Sequence, residues 1–521
     1  MLVTMLRKID ILFIASSLSI LLTLYSCTNA RDKTITICGS IRIDRLSTTD
    51  GNNFIANALE DILFTPLANI DSRFKIHNIL IEKATPAADG RIWEIRLKNG
   101  VRFHDGHPLT ADDVAFSIEK RKEILGTLGA IRRTEVLDER NIRLIFDKPF
   151  RDVSDFLTNI YVYPRRIFRP GEPWKETLLK NPVGSGPFRF KKWLDNGMEF
   201  VANDDYFEGR PKTERIVYLY EGDENRRLNH LLKRKADIMT PVSPNAARFL
   251  KRDPRFYVNR VSVPYYAAVF LNNQAPIFSD LAVRKAVNMA VNREYLIENG
   301  INGGGIPAYG PFLEDMLPKG YIVAPYEYVP GAAAQLLKEA GWKDTNNDGV
   351  LEKDGKRLRL TLYYSTASDE FRRLADMVSQ QLFEIGVEAE TRPAAEADLR
   401  DKHLPSWEDY AILAAASMVT PEAVWQSRSV QDLGSINLAN YSNMEVDDLF
   451  NRAGNEADSR EIRSIYGRID RMIHEDSPAV FLYYPVSYSA VSKRVGNGME
   501  FRGMPYDLYK IKDVEIVSQK E

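Results

Sequence analysis

Cysteine is nearly missing from this 521-residue chain, which carries only Cys27 and Cys38. Two thiols cannot build a disulfide framework or a cysteine-ligated metal cluster. Histidine is sparse as well: six residues, at 77, 104, 107, 230, 403 and 474, are scattered along the chain. An excess of charge of one sign is also lacking, because 70 basic side chains stand against 72 acidic ones. That balance, with no face-wide basic run to offset it, gives no electrostatic argument for nucleic acid. No Gly-x4-Gly-Lys-Ser/Thr loop, no Gly-x-Ser-x-Gly elbow and no His-Glu-x-x-His pair occurs. "GINGGG" (300–305) lacks the strand-to-helix setting that a dinucleotide loop needs. An enzyme therefore has no constellation to stand on, and no cofactor is implied. Nothing after residue 27 offers a second hydrophobic span, and no repeat or low-complexity tract is present.

What is there begins at the N-terminus. Arg7 and Lys8 precede a fourteen-residue apolar run, Ile11 to Leu24. The run is too short for a bilayer span of about twenty residues, but it suits a secretory leader. Leu24-Tyr25-Ser26-Cys27 follows directly and resembles a bacterial lipobox, whose cysteine sulfur takes a diacylglycerol and becomes the new N-terminus. Residues 1–26 are expected to be a signal peptide and Cys27 a lipidation site. Their removal takes away Arg7, Lys8 and Asp10 and leaves a mature charge near −3. With Cys27 acylated, Cys38 has no partner, so an exported protein of this size must hold together by burial.

Length and 44% apolar content suit two to four domains with ample core. Strand-like alternation runs through "KTITICGSIRI" (33–43), "VPYYAAVFLNNQ" (263–274) is a strongly β run, and "RLRLTLYYS" (357–365) and "AVFLYYPVSYSAV" (479–491) read as further strands. "SDLAVRKAVNMAVNREYLI" (279–297) reads as one capped amphipathic helix with Leu281, Val283, Ala286, Val287, Ala290 and Val291 inward. "DEFRRLADMVSQQLFEIG" and "EIRSIYGRIDRMIHED" read as further helices. Mixed strands and helices in this order predict α/β lobes. "RIWEIRLKNGVRFHD" (91–105) predicts a β-hairpin around Asn99-Gly100.

Two polar stretches invite chemistry. In "GVRFHDGHPLTADDV" (100–114), Asp105-Gly106 reads as a turn and Thr110 as a helix N-cap, with Asp112 and Asp113 in the first helical turn. Only His104 and His107 lack a structural role there; they lie three apart across a turn with no third ligand, and scaffold is the expectation over metal. "DTNNDG" (344–349) matches the first half of a calcium loop, but position 12 is Gly355 where a bidentate glutamate is needed. An Asx-rich turn is expected, with a weak ion on Asp344, Asp348 and Glu352 as the alternative.

Several long motifs in order resemble the extracytoplasmic solute-binding proteins, family 5, of peptide- and nickel-type ABC importers. They are "LKNGVRFHDGHPLTADDVAFSIEK", "NPVGSGPFRF", "FLNNQAPIFSDLAVRKAVNMAVNRE", "LLKEAGWKDTNNDGVLEKDGK" and "NYSNMEVDDLF", spread over about residues 33–515. His104-Asp105-Gly106 falls in a scaffold motif of that family, while His107 falls where the family varies. The resemblance implies an α/β bilobal clamshell of the three-domain peptide-binding type with two hinge crossings. Lobe I would take 33–72, 180–262 and 479–521, an inserted domain 73–179, and lobe II 263–478. "YYAAVFLNN" and "AVFLYYPVS" would be the hinge strands, and a ligand favouring the closed form would stabilise it.

Peptide binders of this family keep an aspartate about four residues before a proline to pair with the peptide ammonium. Counting back from Pro421 lands on Ser417, which carries no charge, and Glu422 lies on the other side of the proline. The resemblance therefore implies a ligand wall of Ser417, Thr420, Glu422 and Trp425, with Asn272 and the glycine-rich loop around Gly304 and Tyr309. The implied function is a lipid-anchored, monomeric receptor capturing a small peptide, peptide-like solute or chelate. It would deliver that solute to ABC permease subunits with their ATPase, in the periplasm or on the outer face of the cytoplasmic membrane. Presentation of the ligand to a sensor or chemoreceptor is the alternative on the same fold, and a hydrolase is the weakest reading.

Overall fold

The computed structural model describes residues 33–42, 60–70, 76–122, 131–147, 182–263, 265–321, 323–366, 368–395, 409–418, 421–427, 437–456, 459–496 and 508–517, with short stretches between 153 and 178 and at 398–399. Cys27 and Thr420 lie outside the described residues. No helix among the described residues is long and apolar enough to cross a membrane. The chain divides into two compact units, one ending at Val261 and resuming at Tyr488, the other running Ser262–Ser487.

The first unit contains β1 (Thr34–Gly39), β2 (Ala68–Ile70), β3 (Ile76–Asn78), β4 (Ile81–Pro86), β5 (Ile92–Leu97), α1 (Ala111–Lys122), β6 (Ile131–Val136) and β7 (Asn141–Phe146). It continues with β8 (Phe188–Leu194), β9 (Gly197–Ala202), β10 (Arg215–Tyr220), α2 (Glu224–Leu232), β11 (Ile238–Val242), α3 (Pro244–Leu250) and β12 (Phe256–Ser262). Its main sheet runs β11-β1-β10-β9-β8, with β1 parallel to both neighbours. Alternation buries Ile35 and Ile37 of β1 with Phe188, Phe200 and Tyr218. A second sheet, β4-β5-β7-β6, is antiparallel and packs Trp93, Ile95 and Leu97 against Val114 and Ile118 of α1.

The predicted hairpin at Asn99-Gly100 does not form as a strand pair. The turn is there, with Gly100 at φ 75 and its amide donating to Asn99 Oδ1. But β5 already has β4 and β7 on its two edges, so the following segment pairs with itself instead. Phe103 N donates to His107 O and Leu109 N to Val101 O, closing the Asp105-Gly106 turn. Helix α1 then starts after Thr110, whose amide and hydroxyl both donate to Asp113 Oδ2.

The second unit comprises β13 (Tyr265–Leu271), α4 (Pro276–Ser279), α5 (Leu281–Ala290), α6 (Arg293–Gly300), β14 (Gly305–Pro307), α7 (Pro330–Glu339), β15 (Glu352–Lys353), β16 (Lys356–Arg357) and β17 (Arg359–Ser365). After these come α8 (Asp369–Phe383), β18 (Glu388–Ala394), β19 (Tyr410–Ser417), α9 (Pro421–Trp425), α10 (Met444–Asn455), α11 (Ser459–Asp476) and β20 (Ala479–Ser492). Its sheet runs β18-β17-β19-β13-β20, with β14 on the far edge of β20. Ala267, Val269 and Leu271 face a core shared with α5, α6 and α8, while Tyr266 and Phe270 face the other side.

The helix expected over 279–297 is two helices. Asn292 interrupts it by accepting from Tyr295 N at 2.9 Å, and its own amide donates to Gln381 Oε1 at 2.9 Å. Val283, Ala286, Val287, Ala290 and Val291 are buried as expected, but Leu281 is exposed because it opens α5 next to its Asp280 cap.

Candidate solute-binding wall

Strand register decides which candidate residues meet. Ser417 ends β19 directly opposite Tyr265, the first residue of β13. On the other edge of β13, Ala267 pairs with Tyr483 of β20, and Val263 N donates to Pro485 O at 3.0 Å. Pro485 in turn pairs with Gly305 of β14. Ser417, Tyr265, Pro485 and Gly305 therefore form one row across the end of the sheet, a few residues from where the chain enters and leaves this unit.

Gly304 sits at the lip of that row, its carbonyl accepting from Val486 N at 3.0 Å. Tyr309 follows two residues after β14. Its carbonyl lies 3.3 Å from His474 Nδ1, and its ring lies under the Arg293 guanidinium at 5.3 Å. Burial holds the His474 pKa below the usual imidazole value.

Trp425 is 0% exposed. Its indole N–H donates to Tyr266 Oη at 3.0 Å, and its ring packs against Phe270, Tyr441 and Phe481. It backs the wall through Tyr266 and presents no face to a solute in this arrangement. Glu422 stands one helical turn ahead of it on α9, half-buried, with its carbonyl accepting from Gln426 N at 3.0 Å.

Asn272 is also buried, and it follows β13 at the opposite end from Ser417, roughly 20 Å of extended strand away. Its Oδ1 accepts from Asn440 Nδ2 at 2.9 Å, and its amide donates to Tyr410 O. Neighbouring Asn273 Nδ2 donates to the carbonyls of Leu271, Ala439 and Pro478. The asparagine pair is a backbone clasp, so the structure does not bring Asn272 to Ser417.

Residues that sequence reasoning passed over hold the glycine-rich loop in place. Arg293 is buried, its Nε donating to Ala308 O and Phe481 O and its Nη2 to Asn288 Oδ1. Burial lowers its pKa to about 10, which leaves it charged at neutral pH. Glu370, exposed at the start of α8, is the acidic group whose charge raises the pKa of Tyr265 and Tyr483 beyond what burial does. Neither residue announces itself in sequence, because each acts on a strand more than a hundred residues away.

Both polar stretches are knit together by their own hydrogen bonds. His104 Nδ1 accepts from Gly184 N at 3.1 Å, and Nε2 lies 3.0 Å from Gly186 O, the geometry of a neutral Nε2–H tautomer. Burial lowers its pKa to about 4, in agreement with a neutral ring. Gly184 and Gly186 are pressed so closely on the carbonyls of Leu63 and Ile62 that a Cβ at either position would collide. His104 therefore joins the "FHDG" and "GSGP" motifs into one packed corner. His107 is exposed beside Asp105, which also pairs with Arg166. In the 344–352 loop, Asp344, Asp348 and Glu352 offer oxygens within 4.8 Å of one another. Those oxygens accept from Asn347 N, Gly349 N, Val350 N, Thr345 N and Arg357 Nη1, which is the Asx-turn arrangement.

The model of bacterial extracellular solute-binding proteins, family 5, matches residues 75–429. The chain belongs to this family. Its family 5 relatives include the oligopeptide-binding protein AppA of Bacillus subtilis, 30% identical over 470 residues, 87% of this chain and 86% of that protein. The glutathione-binding protein GsiB of Pectobacterium atrosepticum is 24% identical over 90% of this chain and 91% of its own. Among solved structures, B. subtilis AppA in complex with a nonapeptide is similar with a TM-score of 0.69 and 27% identity, covering 93% of this chain and 99% of that one. NikZ of Campylobacter jejuni in complex with Ni(L-His) shares the fold at a TM-score of 0.66, 24% identity and coverage of 89% and 95%. The fold is thus the α/β fold of family 5 solute-binding proteins, and the function is solute binding for ABC transport, not catalysis.

Proposed function

We propose that this chain is the lipid-tethered receptor of an ABC importer, with residues 1–26 as its leader and Cys27 as its anchor. It acts as a monomer, takes a peptide-like or chelate solute and hands it to the permease. The division into 33–72, 180–262 and 479–521, an inserted 73–179 and 263–478 belongs to the same proposal. One feature supports the ligand class: Ser417, at the end of the Ser417–Tyr265–Pro485–Gly305 row, is uncharged at the position where the family resemblance, counted back from Pro421, implies a carboxylate in peptide binders. A buried ammonium without its counter-charge costs several kcal/mol, so solutes lacking a free ammonium fit best, such as N-blocked peptides or anionic chelates. Ser417, Thr420, Glu422, Gly304 and Tyr309 would contact the solute. Trp425 would support them from behind through Tyr266, while Asn272, at the far end of β13, would take no part.

Calorimetry with a free-amine peptide and its acetylated twin tests this. Asp in place of Ser417 (Ser417→Asp) is expected to shift preference toward the free amine by about five- to a hundredfold, the value of a close ion pair in a semi-buried site. A wild type that already prefers the free amine, and loses that preference in Glu422→Gln or Glu370→Gln, would overturn the reading of position 417. Native mass spectrometry of gently purified protein would identify a retained solute directly.

A further inference from the structure

The chain as a whole is nearly neutral, at −2, yet residues 224–260 carry ten Lys and Arg against three Asp and Glu. Folding brings five of these cations to two neighbouring turns, while Arg227 is buried and Arg255 pairs with Asp253. Helices α2 and α3 pack on one small core through Leu231, Ala247 and Leu250. Arg255 donates from Nη1 to Leu232 O at 3.3 Å, so the turn that ends α2 and the turn that ends α3 lie within one arginine's reach. Lys233, Arg234 and Lys235 project from the first turn and Lys251 and Arg252 from the second, all exposed. Cations at helix C-termini complement the helix dipole, which accounts for Lys233 and Lys251 at the two C-caps but not for the others. Phe249 stands beside the second of these turns, 53% exposed near the end of α3, one residue before buried Leu250 and three before Arg252.

We propose that this face of the first unit is a contact surface for an anionic phospholipid bilayer, with Phe249 entering the headgroup layer between the cations. Long basic side chains around an exposed aromatic ring match the interface, where phosphate lies above and acyl chains below. Family 5 proteins are extracellular, which places a membrane surface within reach of the folded chain. The inference rests on that membership and not on the Cys27 anchor. An acidic polypeptide would complement the lysines and arginines equally, but it gives no reason for the bare ring of Phe249.

The test uses the full-length protein with a nitroxide at Phe249→Cys. Cys38 is buried, with its thiol pushed up to about 11, and the unsubstituted chain carried through the same labelling measures any background from Cys27. On vesicles with about 30 mol % phosphatidylglycerol, collisions between the label and lipid-dissolved oxygen should rise about threefold or more over pure phosphatidylcholine. The rise should vanish in about 0.5 M salt, where screening is strong, and in the triple variant Lys233→Glu, Lys251→Glu, Arg252→Glu. The salt arm needs no variant to fold. Equal accessibility on the two vesicle types would overturn the proposal, as would a response that survives both salt and charge reversal. A label shielded by polyglutamate but not by lipid would assign the face to an acidic protein and overturn it too.

Discussion

At the scale of single residues, a half-buried histidine and a buried aspartate pull stability in opposite directions with pH. His104 has a folded pKa of about 4 against an ordinary 6.5. Between those values the unfolded chain holds a proton that the folded chain rejects, so stability rises with pH across that window and is lost on acidification. The span corresponds to roughly 3 kcal/mol. His104→Leu should remove that slope while lowering the melting temperature at pH 7, since Gly184 N loses its acceptor and Gly186 O keeps only Asn203 Nδ2. Calorimetric scans at a series of pH values between 4 and 7 read both effects, and an unchanged slope would refute the assignment. Asp470 behaves in reverse. It is buried on α11, its Oδ1 has no hydrogen-bond partner, and burial raises its pKa to about 7. A folded pKa above the unfolded one gives stability that is complete in acid and fades as pH climbs toward 7 and beyond. Asp470→Asn should therefore stabilise the protein more at pH 8 than at pH 5, by roughly 2–3 kcal/mol of difference. A side chain as small as alanine at Gly310, whose Cβ would meet that carboxylate, should be poorly tolerated at any pH.

At the scale of elements, the break between α5 and α6 positions the glycine-rich loop. Asn292 ends one helix and caps the next, and this turns Arg293 inward to hold Ala308 and Phe481 by their carbonyls. Arg293→Met leaves those buried carbonyls unpaired and should cost about 2–4 kcal/mol. Amide exchange at residues 304–308 should accelerate well before the rest of the unit is affected, and uniform loss of protection would argue against a local role. Much of this architecture is legible in sequence, because β17 shows local alternation and β13 and β20 show short apolar runs rich in β-branched and aromatic residues. What stays hidden is partner choice. Nothing near Asn99-Gly100 tells that β5 will already be flanked by β4 and β7, and nothing near Trp425 tells that Tyr266 will claim its indole. Ser417 could be singled out only through family resemblance, by counting from Pro421. Lys233 and Lys251 are hidden for another reason: a charge balance taken over the whole chain averages away a surface that folding concentrates.

At the scale of the whole molecule, attachment and solute capture should separate cleanly. Cys27→Ser is expected to leave an unprocessed or freely soluble protein with solute affinity within about twofold of wild type, since residues 33 onward build the fold. Radiolabelled-lipid incorporation and membrane fractionation check the first part, calorimetry the second. Unchanged attachment would remove Cys27 from its proposed role.

The final strand, β20, belongs to both units: Ala479 to Ser487 complete the second, and Tyr488 to Ser492 complete the first by pairing with β11. This ordering has a temporal consequence. As the chain emerges from synthesis or export, the second unit gains all its strands while the first still has β11 with one edge unfilled. A stalled chain ending before Tyr488 would thus display a raw strand edge in the earlier-made half, a template for wrong pairing with neighbouring chains. The residues after β20 add to the same dependence, since Val495, Ile511 and Val514 also belong to the first unit's core.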